Sequence, residues 1–278
     1  MEAMPPCCLP YRGANPTKVI FCVHGVISPV LANLTLDGLE AVVHACVDPT
    51  ARARARNSNK IHVVRYADDF MVTGISKEVL ENQVRPAVVQ FLAVRGLELS
   101  EEKTRIRHIS KGFDFLSQNV RKYSGKLLIK PARKSVKALM HTVREVIQGS
   151  KAATQQALIA QLNPIIRGWA TYHRHVVAKS CFSWIDNQIW QLLWRWVVRR
   201  HPTKNAGWVK HKYFHTEGNR HGVFATNIGS DGFRLLLPLF RAETIAIVRH
   251  VKIISKANPY DLAWSPYFGK RKSATHTL

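Results

Sequence analysis

The sequence has few cysteines, and their spacing is not that of a zinc site. The five are Cys7, Cys8, Cys22, Cys46 and Cys181. Their number is odd and no C-x-x-C pair occurs, so neither a disulfide framework nor a thiolate zinc site is expected. His173 and His175 flank Arg174 without thiols or carboxylates nearby, so no metal role is expected for them either.

Long apolar runs and a secretory signal are also missing. No apolar run approaches the roughly 20 residues that a membrane-spanning helix needs. Residues 1–12 contain three prolines and two cysteines but lack the apolar segment of a secretory signal. We therefore expect a cytoplasmic protein that does not contact a membrane. With 278 residues, 46% of them hydrophobic, the chain can form one large domain or two to three small ones.

Acidic residues are scarce relative to basic ones. The chain has 18 Asp and Glu against 41 Lys and Arg, which gives a formal net charge of +23. Such a surface repels itself unless a polyanion neutralises it, and each cation near a phosphate releases a condensed counterion. Nucleic acid is the expected partner. A generically basic protein, such as a ribosomal one, has the same composition and remains an alternative.

The hydrophobic spacing divides the chain into four regions. Residues 1–24 form an irregular leader, and 25–130 mix helical and strand patterns. The spacing predicts helices over 26–44 and 78–96, two strands with a tight turn over 61–74, and a hairpin over 113–129. Residues 131–200 predict a helical bundle, with Asn163-Pro164 starting its third helix and a fourth over 183–198. Residues 201–278 form a basic, aromatic module in which Trp208 is the expected exposed stacking residue.

Tyr66-Ala67-Asp68-Asp69 is the sharpest local feature. Adjacent acids at a strand–strand turn repel each other, and Asp is a poor strand former. A divalent cation would relieve the repulsion, because Mg²⁺ prefers carboxylate oxygens and shares its shell with substrate phosphates. The alternative is an ordinary Asp-rich hairpin turn. The apolar residues on both sides, Val63-Val64 and Met71-Val72, favour the metal.

Residues 66–70 resemble the catalytic turn of reverse transcriptases, and of the group II intron class in particular. Segments that resemble other motifs of that class follow the same order along the chain. They are Gly25 to Asn33, Arg95 to Lys103-Thr104, Phe113 to Leu116 with Arg121 to Tyr123, Leu162 to His175, Leu193 to Pro202, and Ala257 to Phe268. The resemblance therefore covers about residues 25–270.

The resemblance implies an α+β fold. Residues 25–130 would form a partial reverse-transcriptase palm, 131–200 a maturase-specific thumb and 201–278 a DNA-binding region. Asp68 and Asp69 would be the catalytic metal ligands. Nucleotide or template contacts are implied for Tyr66, Ala67, Gly25, Ser28, Pro29, Asn33 and Lys103, and a primer grip for Phe115 and Leu116. RNA contacts are expected, from charge and position, for Arg167, Arg174, Arg195, Arg199, Arg200, Lys210 and Lys212.

The implied function is an RNA-directed DNA polymerase and maturase that uses Mg²⁺ and dNTPs. Its partners would be a group II intron RNA and a target DNA, in a bacterial-type, nucleoid-associated setting. A non-catalytic, RNA-binding splicing maturase fragment is the alternative. A third possibility is a degenerate product that folds poorly, with an exposed sheet edge.

Three departures from the family pattern bear on activity. Val23-His24-Gly25 stands where the family has Gln-Gly-Gly, and Ser117 stands where it has Gly. The upstream fingers and palm, which carry a further aspartate ligand, have no counterpart before Gly25. Because metal-assisted polymerisation needs a preorganised ligand set, we expect weak or no polymerase activity from the chain alone. A separate chain could supply the fingers and palm, and the sequence does not tell whether one does.

Overall fold

The computed structural model describes residues 28–47, 59–102, 104–228, 235–248, 253–254 and 257–276. The chain divides into two compact units, residues 1–108 and 109–278. Helices and small antiparallel sheets occur in both units, so the α+β fold class is confirmed.

The first unit contains a two-stranded β-hairpin with helices before and after it in the chain. In chain order its elements are α1 (Ser28–Thr35), α2 (Leu39–Val47), β1 (His62–Tyr66), β2 (Asp69–Thr73), α3 (Lys77–Val79), a π-helical turn (Leu80–Val84) and α4 (Arg85–Ala93). The Ser76 side chain caps α3 by accepting from the Val79 N–H. Leu39, Val43, Val88 and Leu92 are buried in the core of this unit.

The apolar stretch Val30–Val47 has the length and composition of a membrane-crossing helix. The expectation of a single helix over 26–44 is nevertheless wrong in the described part, because Gly38 ends the run with a backbone φ of +83°. That left-handed conformation is readily adopted only by glycine, so α1 and α2 are separate helices. Leu39 and Val43, on α2, pack into the core of the first unit.

In the part that the structure describes, the second unit contains two three-stranded sheets and five α-helices. Its elements are β3 (Phe113–Phe115), β4 (Gln118–Tyr123), β5 (Lys126–Pro131), α5 (Arg133–Gly149), α6 (Gln155–Tyr172), α7 (Lys179–Arg200), α8 (Ala206–Tyr213), β6 (Phe214–Glu217), β7 (Arg220–Ile228), β8 (Leu235–Pro238), two 3-10 turns (Ala242–Thr244 and Leu262–Trp264) and α9 (Ser265–His276). All strand pairs are antiparallel, in the orders β3-β4-β5 and β6-β7-β8.

One hydrophobic core holds the second unit together. Leu158, Ile166, Phe182, Ile189 and Leu193, on α6 and α7, are fully buried within it. Burial of each such side chain contributes about 1.5–3 kcal/mol to folding. Residues after position 200 join the same core, namely Val209, Tyr213, Phe214, Phe224 and Ala242. The first part of the 201–278 region, up to Ala242, is thus packed against the helices of the second unit.

The expectation of a helix start at Asn163-Pro164 is wrong, because α6 runs through both residues. Proline in a helix interior removes one backbone hydrogen bond and costs about 3 kcal/mol in isolation. The Asn163 side chain holds the surrounding structure in place, since it donates to the Pro238 carbonyl and accepts from the Phe240 N–H. Flanking residues Leu162 and Ile166 are fully buried. Tertiary contacts therefore override the local signal.

The turn between β3 and β4 has an unusual backbone. Phe115 pairs with Gln118, which leaves Leu116 and Ser117 as a two-residue loop with φ values of +47° and +61°. A turn with two consecutive positive φ values favours glycine, because a Cβ is disfavoured there. The structure thus gives a physical reason for the glycine that the family pattern has at the position of Ser117.

Candidate functional site

The four residues 66–69 form the tip of the β1–β2 hairpin. Tyr66 pairs with Asp69, so Ala67 and Asp68 are the two loop residues, and Ala67 has a φ of +52°. The predicted strand–turn–strand is confirmed. A non-glycine residue in the left-handed region is uncommon and carries strain, which is often found at functional positions.

The hairpin presents the acids on the side away from its core. Val63, Phe70 and Val72 pack against the buried cluster of the first unit. Asp68 and Asp69 are exposed, and the Tyr66 side chain is 65% exposed. Because side chains alternate along a strand, Tyr66 and Asp69 form a cross-strand pair on the outer face. The carboxylates are therefore accessible to an ion or a substrate from solvent.

The carboxylate pair fits part of a magnesium site. Mg²⁺ retains several waters and takes one or two carboxylates together with substrate phosphates. Asp68 and Asp69 supply oxygens of that kind. Within the described residues, no group of three or more His, Cys, Asp or Glu could hold a metal. The turn therefore offers two carboxylates of the kind that Mg²⁺ prefers, and a metal site here would need further ligands from elsewhere.

The other predicted nucleotide and template residues are only partly described. Asn33 is exposed on α1, and its carbonyl accepts from the Arg65 guanidinium at 3.0 Å, which ties α1 to the hairpin. Ser28 and Pro29 begin α1, with side chains outside the described set. Gly25 and Lys103 lie outside the described residues.

The predicted primer-grip residues lie on a turn that is fastened to the helices of the second unit. The Tyr172 hydroxyl donates to the Leu116 carbonyl at 2.8 Å, and the Ala132 N–H donates to the Ser117 carbonyl at 2.9 Å. Phe115, half-buried on β3, precedes the turn. The β3–β4 turn is therefore positioned by the start of α5 and the end of α6.

His173 is a buried residue at the C-terminal end of α6, next to Tyr172, whose hydroxyl bonds this turn. It is fully buried, and its ring lies 4.5 Å from that of Trp169. Its Nε2 lies 3.3 Å from the Ser135 hydroxyl. Burial, assisted by the nearby His175, lowers the pKa of His173 to about 4. The ring is neutral at pH 7 and serves the packing between α5 and α6.

The predicted RNA-binding residues differ in their surroundings. Six are exposed: Arg167, Arg174, Arg195, Arg199, Lys210 and Lys212. Arg200 is half-buried, donates to the Ala153 carbonyl, and stacks over the Trp196 ring with its guanidinium carbon 4.4 Å from the centroid. Its guanidinium is thus engaged within the fold. The Lys212 ammonium lies 4.8 Å from the Trp208 ring centroid, a cation–π contact at a 37% exposed tryptophan.

A basic face on α5 was missed among the predicted site residues. Lys134, Lys137, His141 and Arg144 are exposed and recur every three to four residues. Residues at that spacing share one side of a helix. The opposite side is buried, through Leu139, Met140, Val143 and Ile147. The sequence does carry a signal for this α5 basic stripe: the basic residues recur every three to four positions and alternate with the apolar residues of the buried side. Glu145, also on α5, lies 3.2 Å from the His141 ring nitrogen.

Comparison with known families gives two matches. The reverse transcriptase (RNA-dependent DNA polymerase) family matches residues 24–120, which include the carboxylate turn. The maturase-specific domain of group II introns matches residues 136–214, which include most of α5 and all of α6, α7 and α8. No curated protein matches. The two domains occur in the order that the motifs indicate, and the chain belongs to the group II intron reverse transcriptase/maturase family.

Proposed function

We propose that the chain acts as a maturase that binds structured intron RNA, with the α5 basic stripe as its main phosphate contact. The observation that carries the proposal is the division of α5 into a buried apolar side and an exposed basic side. The stripe lies within or next to the maturase-specific match, and α5 begins at Arg133. A rigid helix of 17 residues holds these cations in fixed positions.

The stripe suits the backbone of an RNA helix. RNA duplexes are recognised through phosphates, 2′-hydroxyls and overall shape, because their major groove is too narrow for side chains. From Lys134 to Arg144 the helix rises about 15 Å, which is long enough to follow several phosphates of one strand. Exposed Arg167 and Arg174 on or beside α6 add further positive charge to the same unit.

Binding of this kind should depend strongly on salt. We expect the affinity for a structured RNA hairpin to fall at least tenfold between roughly 50 and 200 mM KCl, since three or more phosphate contacts release about as many counterions. Fluorescence anisotropy with a labelled hairpin would measure it. An affinity that stays constant over this range would contradict phosphate binding and, with it, the proposed function.

An RNA-directed DNA polymerase is the second candidate, favoured by the exposed Asp68-Asp69 pair at the hairpin tip. Asp68 and Asp69 would hold Mg²⁺, which supplies charge stabilisation to the attacking and leaving oxygens of phosphoryl transfer. Tyr66, beside them on the outer face, would border the nucleotide. Two carboxylates alone leave the ligand set open, so we infer that the chain by itself polymerises weakly or not at all.

Mn²⁺, a paramagnetic probe that binds Mg²⁺ sites, should broaden the backbone NMR signals of residues 66–70. We expect the broadening to disappear in the double variant Asp68→Ala/Asp69→Ala, because its source is the carboxylate pair. The matched control, Asp37→Ala/Glu40→Ala, removes two exposed acids from the same unit and should leave the broadening in place. Equal broadening in all three proteins would exclude a site at the turn.

Primer extension on an RNA template with Mg²⁺ and dNTPs gives the matching activity readout. Trace extension is expected from the chain alone. Robust extension that is lost in Asp68→Ala would contradict the inferred weak activity and would show that this chain completes the site itself.

The partners follow from the same proposal. We infer an intron RNA, a target DNA and, for polymerisation, a complementing chain with fingers and palm that supplies the remaining ligand. A net charge of +23 favours association with nucleic acid in the cytoplasm, including the nucleoid.

A further inference from the structure

A cleft of about 560 Å³ opens in the second unit, between the β3–β4 turn and the helices α5 and α6. Its apolar lining comes from Ala138 and Leu139 on α5 and from Ile165 and Trp169 on α6. Leu116 and Ser117 close it on the side of the sheet. This volume is typical of sites for small organic ligands. A single nucleotide fits within it, whereas a double helix does not.

The cleft has an acidic group on one wall and a basic group on the other. Asp114 lies on β3, and its Oδ1 accepts from the Asn119 side chain at 2.6 Å. Lys134 lies on the first turn of α5, which Ala132 precedes without a capping side chain. The positive end of the helix and the ammonium therefore favour a phosphate near Lys134. The carboxylate of Asp114 favours a hydroxyl donor.

Ser135 offers a hydrogen-bond donor at the wall of the cleft. Its Oγ accepts from the Trp169 indole at 3.0 Å and lies 3.3 Å from Nε2 of buried His173. Within the described residues, Nδ1 of His173 has no partner. We assign the proton of the neutral ring to Nε2, because that tautomer leaves an acceptor and not a donor without a partner. Ser135 then accepts twice, and its own hydroxyl proton remains for a ligand in the cleft.

We propose that the cleft receives a single unpaired ribonucleotide from RNA bound along α5; this rests on the proposed RNA-binding function. Lys134 belongs both to the cleft and to the α5 basic stripe, so a strand whose phosphates follow the stripe passes the mouth of the cleft. The base packs over Leu139, Ile165 and Trp169. Asp114 accepts from the ribose 2′-hydroxyl, the group that distinguishes RNA from DNA.

The test compares three RNA hairpins of one sequence: fully paired, with one bulged nucleotide, and with a 2′-deoxy nucleotide at the bulge. Anisotropy competition should show the bulged hairpin binding about tenfold more tightly than the paired one, as expected for one inserted base. Deoxy substitution should remove a several-fold part of that preference.

Two variants localise the effect. Ala138→Phe fills the cleft and should abolish the bulge preference, so that the bulged and paired hairpins bind with about equal affinity. Its matched control, Ala160→Phe, places the same side chain on the exposed side of α6 and should keep the preference. Asp114→Asn retains the shape of the side chain and should reduce the ribose-to-deoxyribose ratio alone.

The outcomes separate this proposal from the one it rests on. If no hairpin binds, or binding is indifferent to salt, the RNA-binding function itself fails. If the paired hairpin binds with the expected salt dependence, but bulged RNA is not preferred or Ala138→Phe leaves the preference intact, the cleft proposal alone is overturned.

Discussion

Replacing Lys134, Lys137 and Arg144 together by glutamate should weaken the binding of a paired RNA hairpin at least 100-fold near 100 mM salt. All three side chains are exposed on one side of α5. Each replacement removes a phosphate contact and adds a repulsive charge, and each lost contact should also lower the salt slope by about one. Titrations at several KCl concentrations would measure both quantities.

The control variant makes the same change in net charge at three other positions. Lys126→Glu, Lys151→Glu and Arg220→Glu alter exposed residues on β5, after α5 and on β7, which share no helix face. We expect it to lose about tenfold or less, through the general field of the protein. If both triple variants lose affinity equally, binding follows net charge, and the α5 basic stripe is not the interface.

The loss of binding should not reflect unfolding of α5. Its first turn carries Arg133 and Lys134 and contains no acid. Positive charge near a helix N-terminus opposes the helix dipole, so glutamate at position 134 should stabilise the helix by about 0.3–1 kcal/mol. The apolar side, with Leu139 and Val143 buried, is unchanged. Arg133 and Lys134 thus lower the stability of the α5 N-terminus, and their positive charge attracts a polyanion to it.

Hydrophobic periodicity predicted much of the fold because it reports burial directly. The stripe from Val136 to Ile147 predicted α5, whose apolar positions are those that the core covers. The Val- and Ile-rich residues on both sides of 66–69 predicted the β1–β2 hairpin, with the acids at its tip. In both cases neighbours in sequence fix the structure, so local patterns suffice.

Long-range contacts explain what the sequence could not predict. The Asn163 side chain bonds Pro238 and Phe240, more than 70 residues away, within a helix that Pro164 was expected to begin. The cleft joins Asp114, Ser135 and Trp169 from three elements. None of these residues carries a local signal for a common site, because their proximity depends on how β3, α5 and α6 pack.

Acidification should destabilise the second unit through His173. Its pKa is about 4 in the folded protein, chiefly through burial, against an ordinary value of 6.5 in the unfolded chain. The unfolded state therefore binds the proton more tightly. The contribution of neutral His173 to the free energy of unfolding is fully present above pH 6.5 and is lost as the pH falls towards 4. Between pH 8 and 4.5 the loss is about 2–3 kcal/mol.

Urea denaturation of wild type and His173→Phe across this pH range would isolate that contribution. Phenylalanine keeps a ring beside Trp169 but cannot titrate. Subtracting the two curves also cancels the contribution of Asp186. Burial raises the pKa of Asp186 although its carboxylate accepts from the Ala242 and Glu243 N–H groups. Protonation of Asp186 therefore favours folding at lower pH. We expect the wild-type curve to fall more steeply, and parallel curves would contradict a neutral buried ring.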